Sequence, residues 1–197
     1  ENMNRDFWYD VLRRGAILGL VMALSFIFER YLLAFSQMAL LKASAIYCIE
    51  WIIACGVFIW LLVRFARRRA NASDPKQGFP YSLALSYILL VSMLAGVLVG
   101  VADTIFISTM GYEGYISGLV TRIEQLKEMY ISMGVPTSEM KMFDDYASQL
   151  RFVEQPSMWL NVVSKLQSYM VFGGLPGFII AGVVSRSPRF EEPQNNQ

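Results

Sequence analysis

The stretch GAILGLVMALSFIFERYLLAF, residues 15–35, decides the architecture. Nearly all of it is apolar, and a helix of about 20 such residues crosses the hydrocarbon core of a bilayer. Yet Glu29 and Arg30 stand side by side near its far end. A segment suited to lipid that carries a carboxylate and a guanidinium must turn both away from the lipid.

Working outward, three more runs are long and apolar enough to cross: about 43–65, 81–109 and 157–184, beside a first crossing of about 15–36. Each must be helical, because a lone segment in lipid has to satisfy its own backbone hydrogen bonds. Pro176, in FGGLPGF, predicts a kink in the fourth. Of the 197 residues, 55% are hydrophobic, above the 45–50% or so of soluble domains. We expect an all-α, polytopic membrane protein, one membrane domain over 1–197, with four transmembrane helices and an extracytoplasmic helical hairpin between the third and fourth.

Lysine and arginine set the orientation, since cytoplasmic loops carry the excess. Arg5, Arg13 and Arg14 precede the first span; Arg64, Arg67, Arg68, Arg69 and Lys76 follow the second; Arg186 and Arg189 follow the fourth. Both termini are therefore expected in the cytoplasm. The first run ends without a small-residue cleavage site, so it reads as a span and not a cleaved signal.

Residues 110–156 then lie outside. Ile116, Leu119, Ile123, Leu126, Tyr130 and Met133 recur at three- and four-residue spacing, an apolar helical stripe. Arg122, Glu124, Lys127 and Glu128 fall on other faces. GVPTSE at 134–139 breaks the helix, with Thr137 or Ser138 placed to cap the next, whose stripe is Met140, Phe143, Ala147 and Leu150. Either these helices pack on each other and on the bundle mouth, or the first stripe (Ile116, Leu119, Ile123, Leu126, Tyr130) contacts a partner chain or the headgroups.

Counted at 1.5 Å per residue from the outer helix ends, Glu29, Arg30, Glu50, Asp103 and Lys165 all fall roughly 9–12 Å deep. The expectation is one ionisable layer in the outer half, lining an outward-opening polar cavity with Asn161 and Gln167 at the same level. Three acids against two bases leave one acid over, held neutral or reached by water. The alternative is a set of bundle-locking ion pairs, with Arg30 free to snorkel and Asp103 shallow enough to be wet. Below that layer, Gly15/Gly19, Gly96/Gly100 and Gly177/Ala181 suit close helix approach in the inner half.

Several chemistries are disfavoured. The chain has no histidine, the commonest metal ligand and general base. No phosphate loop, dinucleotide fingerprint or metalloprotease helix appears, and a net charge of +1 offers no basic field for nucleic acid. Glu29 and Glu50 are similar in outline to the paired carboxylates of di-iron bundles, but the Glu-x-x-His motif those need is missing. No catalytic residue, metal site or cofactor is expected. Cys48 and Cys55, two turns apart on one helix and too far for a disulfide, read as small buried thiols.

The order of features resembles the family catalogued as domain of unknown function 4199, over about residues 5–185. The matching features are FWYDVLRRGAILGL, the four spans, the helical insert, and the closing FGGLPGFIIAGVV. That resemblance implies a small inner-membrane protein of Bacteroidetes-type bacteria with its insert in the periplasm, and carries over no activity. The expected function is a non-enzymatic interaction or assembly partner, working through the insert with another membrane protein or as a homo-oligomer. The alternative is a small transporter or a protein binding a solute or lipid headgroup in the outer polar cavity; an enzyme acting on a lipid head is the weakest reading.

Overall fold

The computed structural model describes residues 2–74 and 76–188, with side chains from Arg5 onward; Arg189 of the charge count above lies outside them. In chain order these residues form α1 (Asn2–Ala34), α2 (Leu40–Ala72), α3 (Tyr81–Met110), α4 (Tyr112–Ser132), a 3-10 turn (Thr137–Met140), α5 (Lys141–Arg151) and α6 (Met158–Val184). Four of them, α1, α2, α3 and α6, are long and apolar enough to cross a membrane.

Two of the crossing helices overrun their apolar limits. α1 begins well before residue 15 because DFWYDVLRR is itself a helical segment: Arg14 Nε bonds Asp10 Oδ1 one turn back at 3.2 Å, and Val11 is buried. α2 continues past residue 65 to Ala72, with Phe65, Ala66 and Ala70 buried, Arg64, Arg67 and Arg68 exposed, and the half-buried Arg69 over the Phe7 ring. A hydropathy window registers only lipid-facing length; these turns are amphipathic. α6 runs unbroken through Pro176, which leaves the Phe172 carbonyl without its helical donor.

α3 is the central helix. Its buried positions, Ala84, Ile88, Val91, Ala95, Val99, Asp103 and Ile107 among them, recur every three or four residues and serve α1 on one side and α6 on the other. In lipid the helices gain no hydrophobic advantage from meeting, so close packing of small residues has to hold them. A Cβ on Gly96 would stand 2.7 Å from the Lys165 carbonyl and 3.0 Å from Leu166 Cα; one on Gly100 would stand 2.7 Å from Val162 Cα. Farther along the same seam Gly173 lies against Ser92 and Gly177 against Ile88. The small-residue contacts therefore span the full α3–α6 seam rather than the inner half alone. Because α6 runs antiparallel to α3, Gly96 and Gly100 meet the level of Asn161 and Lys165.

α2 is held unevenly. From Phe58 onward it buries Phe58, Leu61, Leu62, Phe65, Ala66 and Ala70 in the main core. Between Ala43, which is buried, and Phe58 it turns Ile49, Trp51, Ile52 and Ile53 outward. Cys48 is exposed and Cys55 half-buried, so neither is the buried thiol expected.

The insert folds back on itself. Gly134 adopts φ +89°, and α5 returns along α4 with Lys127 Nζ 2.6 Å from Asp144 Oδ1 and the Tyr130 and Phe143 rings 5.7 Å apart. Neither Thr137 nor Ser138 caps the new helix; Pro136 precedes the turn and no side-chain cap forms there. Ile116 and Leu119 pack with Ala34 and Ile107 at the bundle mouth. Arg122, expected off the apolar stripe, donates to the carbonyls of Leu32, Leu33, Ser36 and Met38 at 2.6–3.2 Å. It caps the end of α1 and seats the insert on it. At the opposite end, Phe79 and Arg186 exchange backbone hydrogen bonds of 2.9 and 2.8 Å, tying the tail of α6 to the start of α3.

Candidate functional site

Glu29 and Arg30 are consecutive on α1, so their side chains point about 100° apart around the helix. That angle divides the charged layer into two sub-sites.

Arg30 turns toward α3. Its Nε lies 3.1 Å from Asp103 Oδ1 and Nη2 lies 3.4 Å from Oδ2, while Nη1 donates to the Tyr115 hydroxyl from the insert. Asn161 Nδ2 donates to Asp103 Oδ2 at 3.0 Å and to Thr104 Oγ1 at 2.9 Å. Asp103 is 1% exposed. It is dry, not wet as its depth suggested, and Arg30 does not snorkel. A buried ion pair holds only when its remaining lone pairs and protons are also satisfied, and here Asn161 and Tyr115 complete it. Burial pushes the Tyr115 phenol above its ordinary range, against the pull of Arg30, so it stays protonated at physiological pH.

Glu29 turns the other way, toward α2. Its carboxyl group is within hydrogen-bonding reach of Glu50, and Ser25 Oγ donates to Glu50 Oε1. Glu50 Oε2 is buried with no hydrogen-bond partner among the described residues. Lys165 Nζ sits 3.9 Å from the centre of the Phe26 ring; the same ring lies 4.8 Å from the Arg30 guanidinium carbon. Among the described residues Lys165 makes no ion pair.

A cavity of about 380 Å³ opens beside this second group, between α1, α2 and α6. Glu29, Ser25 and Lys165 line one part; Met22, Ile59, Phe172, Leu175 and Pro176 line the rest. From Lys165 to Pro176 is roughly 16 Å of helix, so the cleft is elongated, polar toward the insert and apolar toward the middle of the span. Trp51, Ile59, Phe172 and Leu175 on its walls are also exposed, which makes its mouth lateral.

The structure therefore gathers these residues in two groups, and the cavity beside the second differs from the expected one. Arg30 and Asp103 are absent from its lining, closed into the α1–α3–α6 seam with Asn161. Glu50 stands behind Glu29. Gln167 is exposed and outside the cleft. The walls are mostly hydrocarbon and the opening faces sideways, where α2 buries no side chain over residues 44–57. Of the partner-contact candidates, Ile116, Leu119, Ile123 and Leu126 are half-buried within the chain, and Tyr130 is exposed, its ring tilted against Phe143. Sequence reasoning passed over Ser25, Phe26, Thr104 and Tyr115. Ser25 and Phe26 lie one turn before Glu29 and Arg30, and that spacing was a usable signal. Among the described residues no three His, Cys, Asp or Glu side chains gather into a metal cluster.

Four long apolar helices around a shared polar level define a helical, multi-span membrane protein. A family model described as protein of unknown function (DUF4199) matches residues 13–186, nearly the whole chain. The chain belongs to that family. No curated protein and no solved structure matches it.

Proposed function

We propose that this protein binds an amphiphilic molecule from within the bilayer, its polar head between Glu29 and Lys165 and its hydrocarbon along Met22, Ile59, Phe172 and Leu175. One observation carries this reading: the lateral cleft of about 380 Å³ is graded from charged to apolar along α6, from Lys165 toward Leu175. Its volume falls in the range of ordinary ligand sites, which pair a largely apolar lining with a few placed polar groups. Charged side chains inside spans face interiors and mark ligand or ion pathways. The assembly reading has less to stand on, because the apolar stripe of α4 is half-buried against its own chain.

We read the membrane as a bacterial inner membrane with both termini cytoplasmic. Arg13, Arg14, Arg64, Arg67, Arg68 and Arg69 gather toward the end opposite the insert, the bias that cytoplasmic loops carry. The insert then faces the periplasm, and the head of the bound amphiphile lies at the level of the outer leaflet.

Cys55 lines the cleft and Cys48 lies two turns away on the exposed surface, so the chain supplies its own probe. In a Cys48→Ser background, a lipid-soluble maleimide should label Cys55 several-fold more slowly in lipid nanodiscs than after delipidation. In a Cys55→Ser background, labelling of Cys48 should change little between the two. Equal slowing at both thiols would mean general shielding by lipid and would remove the reading.

A further inference from the structure

We infer that Glu29 and Glu50 form a proton-binding site, one proton held between two carboxyl groups, whose loss turns the head end of the cleft negative. The site itself stands on α1 and α2; its control over head groups rests on the amphiphile reading above. Hydrogen bonding requires the proton. An ionised carboxyl group only accepts, so two of them side by side have nothing to join them. Glu29 nevertheless lies within hydrogen-bonding reach of Glu50. Ser25 donates to Glu50 Oε1, while the buried Oε2 has no partner among the described residues so long as both groups are ionised. One proton on the pair supplies the missing O–H and links the two side chains.

Charge balance requires it too. The titratable or charged groups facing the pair are Arg30 on α1, Tyr47 and Cys55 on α2, and Lys165 and Tyr169 on α6. Arg30 is cancelled by Asp103 of α3. Phenols and thiols are ordinarily uncharged at neutral pH. That leaves Lys165, in no ion pair among the described residues, to set against two carboxyl groups. One retained proton balances the count. Two carboxylates at that separation would repel and leave a net negative charge within the span. Glu29 lines the cleft and Glu50 stands behind it, so a charge gained on the pair is gained at the cleft's polar end.

Infrared spectroscopy of the full-length protein in an alkyl maltoside tests the site. At neutral pH the carbonyl stretch of a protonated carboxyl group should appear, shift down in deuterated water and fade as the pH rises. Glu29→Gln and Glu50→Gln should each abolish it, because either leaves a lone carboxyl group beside an amide N–H. A carboxyl group protonated by burial alone would keep its band when its neighbour is changed. The helical amide band in the same spectra shows whether each variant has folded. A band absent from the unmodified protein, or retained in either folded variant, overturns the shared proton; the first outcome needs no variant. Dodecyltrimethylammonium, a fixed cation, then reads the control over head groups. Its retention, followed by native mass spectrometry, should rise up to about tenfold per pH unit where the band fades, one proton leaving for each cation bound. Dodecylphosphocholine, with no net charge, should show no such slope, nor should the cation on Glu29→Gln. A flat profile for the cation on the unmodified protein overturns the control. Neither probe retained, with the band behaving as expected, removes the amphiphile reading and leaves the proton site standing.

Discussion

Two lengths of the same helix behave differently. From Phe58 to Ala70, α2 buries six side chains against its neighbours. From residue 44 to 57, where Glu50 is the one charged residue against four arginines in the packed length, it turns its large side chains outward and leaves a gap toward α6. The contrast does not come from hydrophobicity, since lipid satisfies isoleucine as well as protein does. It comes from what stands opposite. The well-packed length meets the core built on Phe79, Tyr87 and Ile88. The open length faces Glu29, Glu50 and Lys165, charged groups that cannot be packed by shape alone. Across α1, the Arg30–Asp103 group has its charged atoms served and has closed. The Glu29–Glu50–Lys165 group is only partly served among the described residues, with Glu50 Oε2 unpartnered and Lys165 in no ion pair, and has stayed open.

That comparison is breakable. The largest effect is expected at Arg30→Met, which strands the buried Asp103 carboxylate. Removing one member of a buried pair costs about 3–5 kcal/mol, read as a sharp fall in the thermal unfolding midpoint in detergent. The double change Arg30→Met with Asp103→Leu should recover much of it. If Arg30→Met is no more harmful than Lys165→Met, the closed and open groups are not distinct. A smaller loss, about 1–3 kcal/mol from overpacking, is expected for Gly96→Leu, since backbone and not a pliable side chain occupies the space. Loss of compact monomer on size exclusion would accompany it; an unchanged midpoint would show that the α3–α6 seam has slack. The smallest effect has the opposite sign. Gly56 lies on the open length of α2, and a Cβ added there would meet nothing within 4 Å. Gly56→Ala should therefore stabilise by about 0.5–1 kcal/mol through helix propensity. Destabilisation there would mean that this face is packed after all.

Hydropathy and lysine–arginine placement made the four crossings legible, and the equal depth of Glu29, Arg30, Glu50, Asp103 and Lys165 made the charged layer legible. Both are one-dimensional properties, fixed by distance along a helix. The split of that layer was not legible, because it depends on rotation about each helix axis. Glu29 and Arg30 share a depth and differ by about 100°, so they serve different neighbours. The role of Arg122 was hidden for a related reason. On its own helix it occupies a polar face, and only the folded-back insert brings it to the carbonyls that end α1. The cleft was misjudged as polar because a depth count registers charges and not the apolar side chains between them.

The way α2 is restrained has one more consequence. Ala43 is buried near the insert and Phe58 begins the packed core, so the unpacked length is pinned above and below across roughly 22 Å of helix. A helix fixed at both ends cannot swing like a door; it can only bow. The aperture therefore keeps a constant height and varies in width, a slot that admits slender chains edgewise and turns away bulky ones without any moving lid.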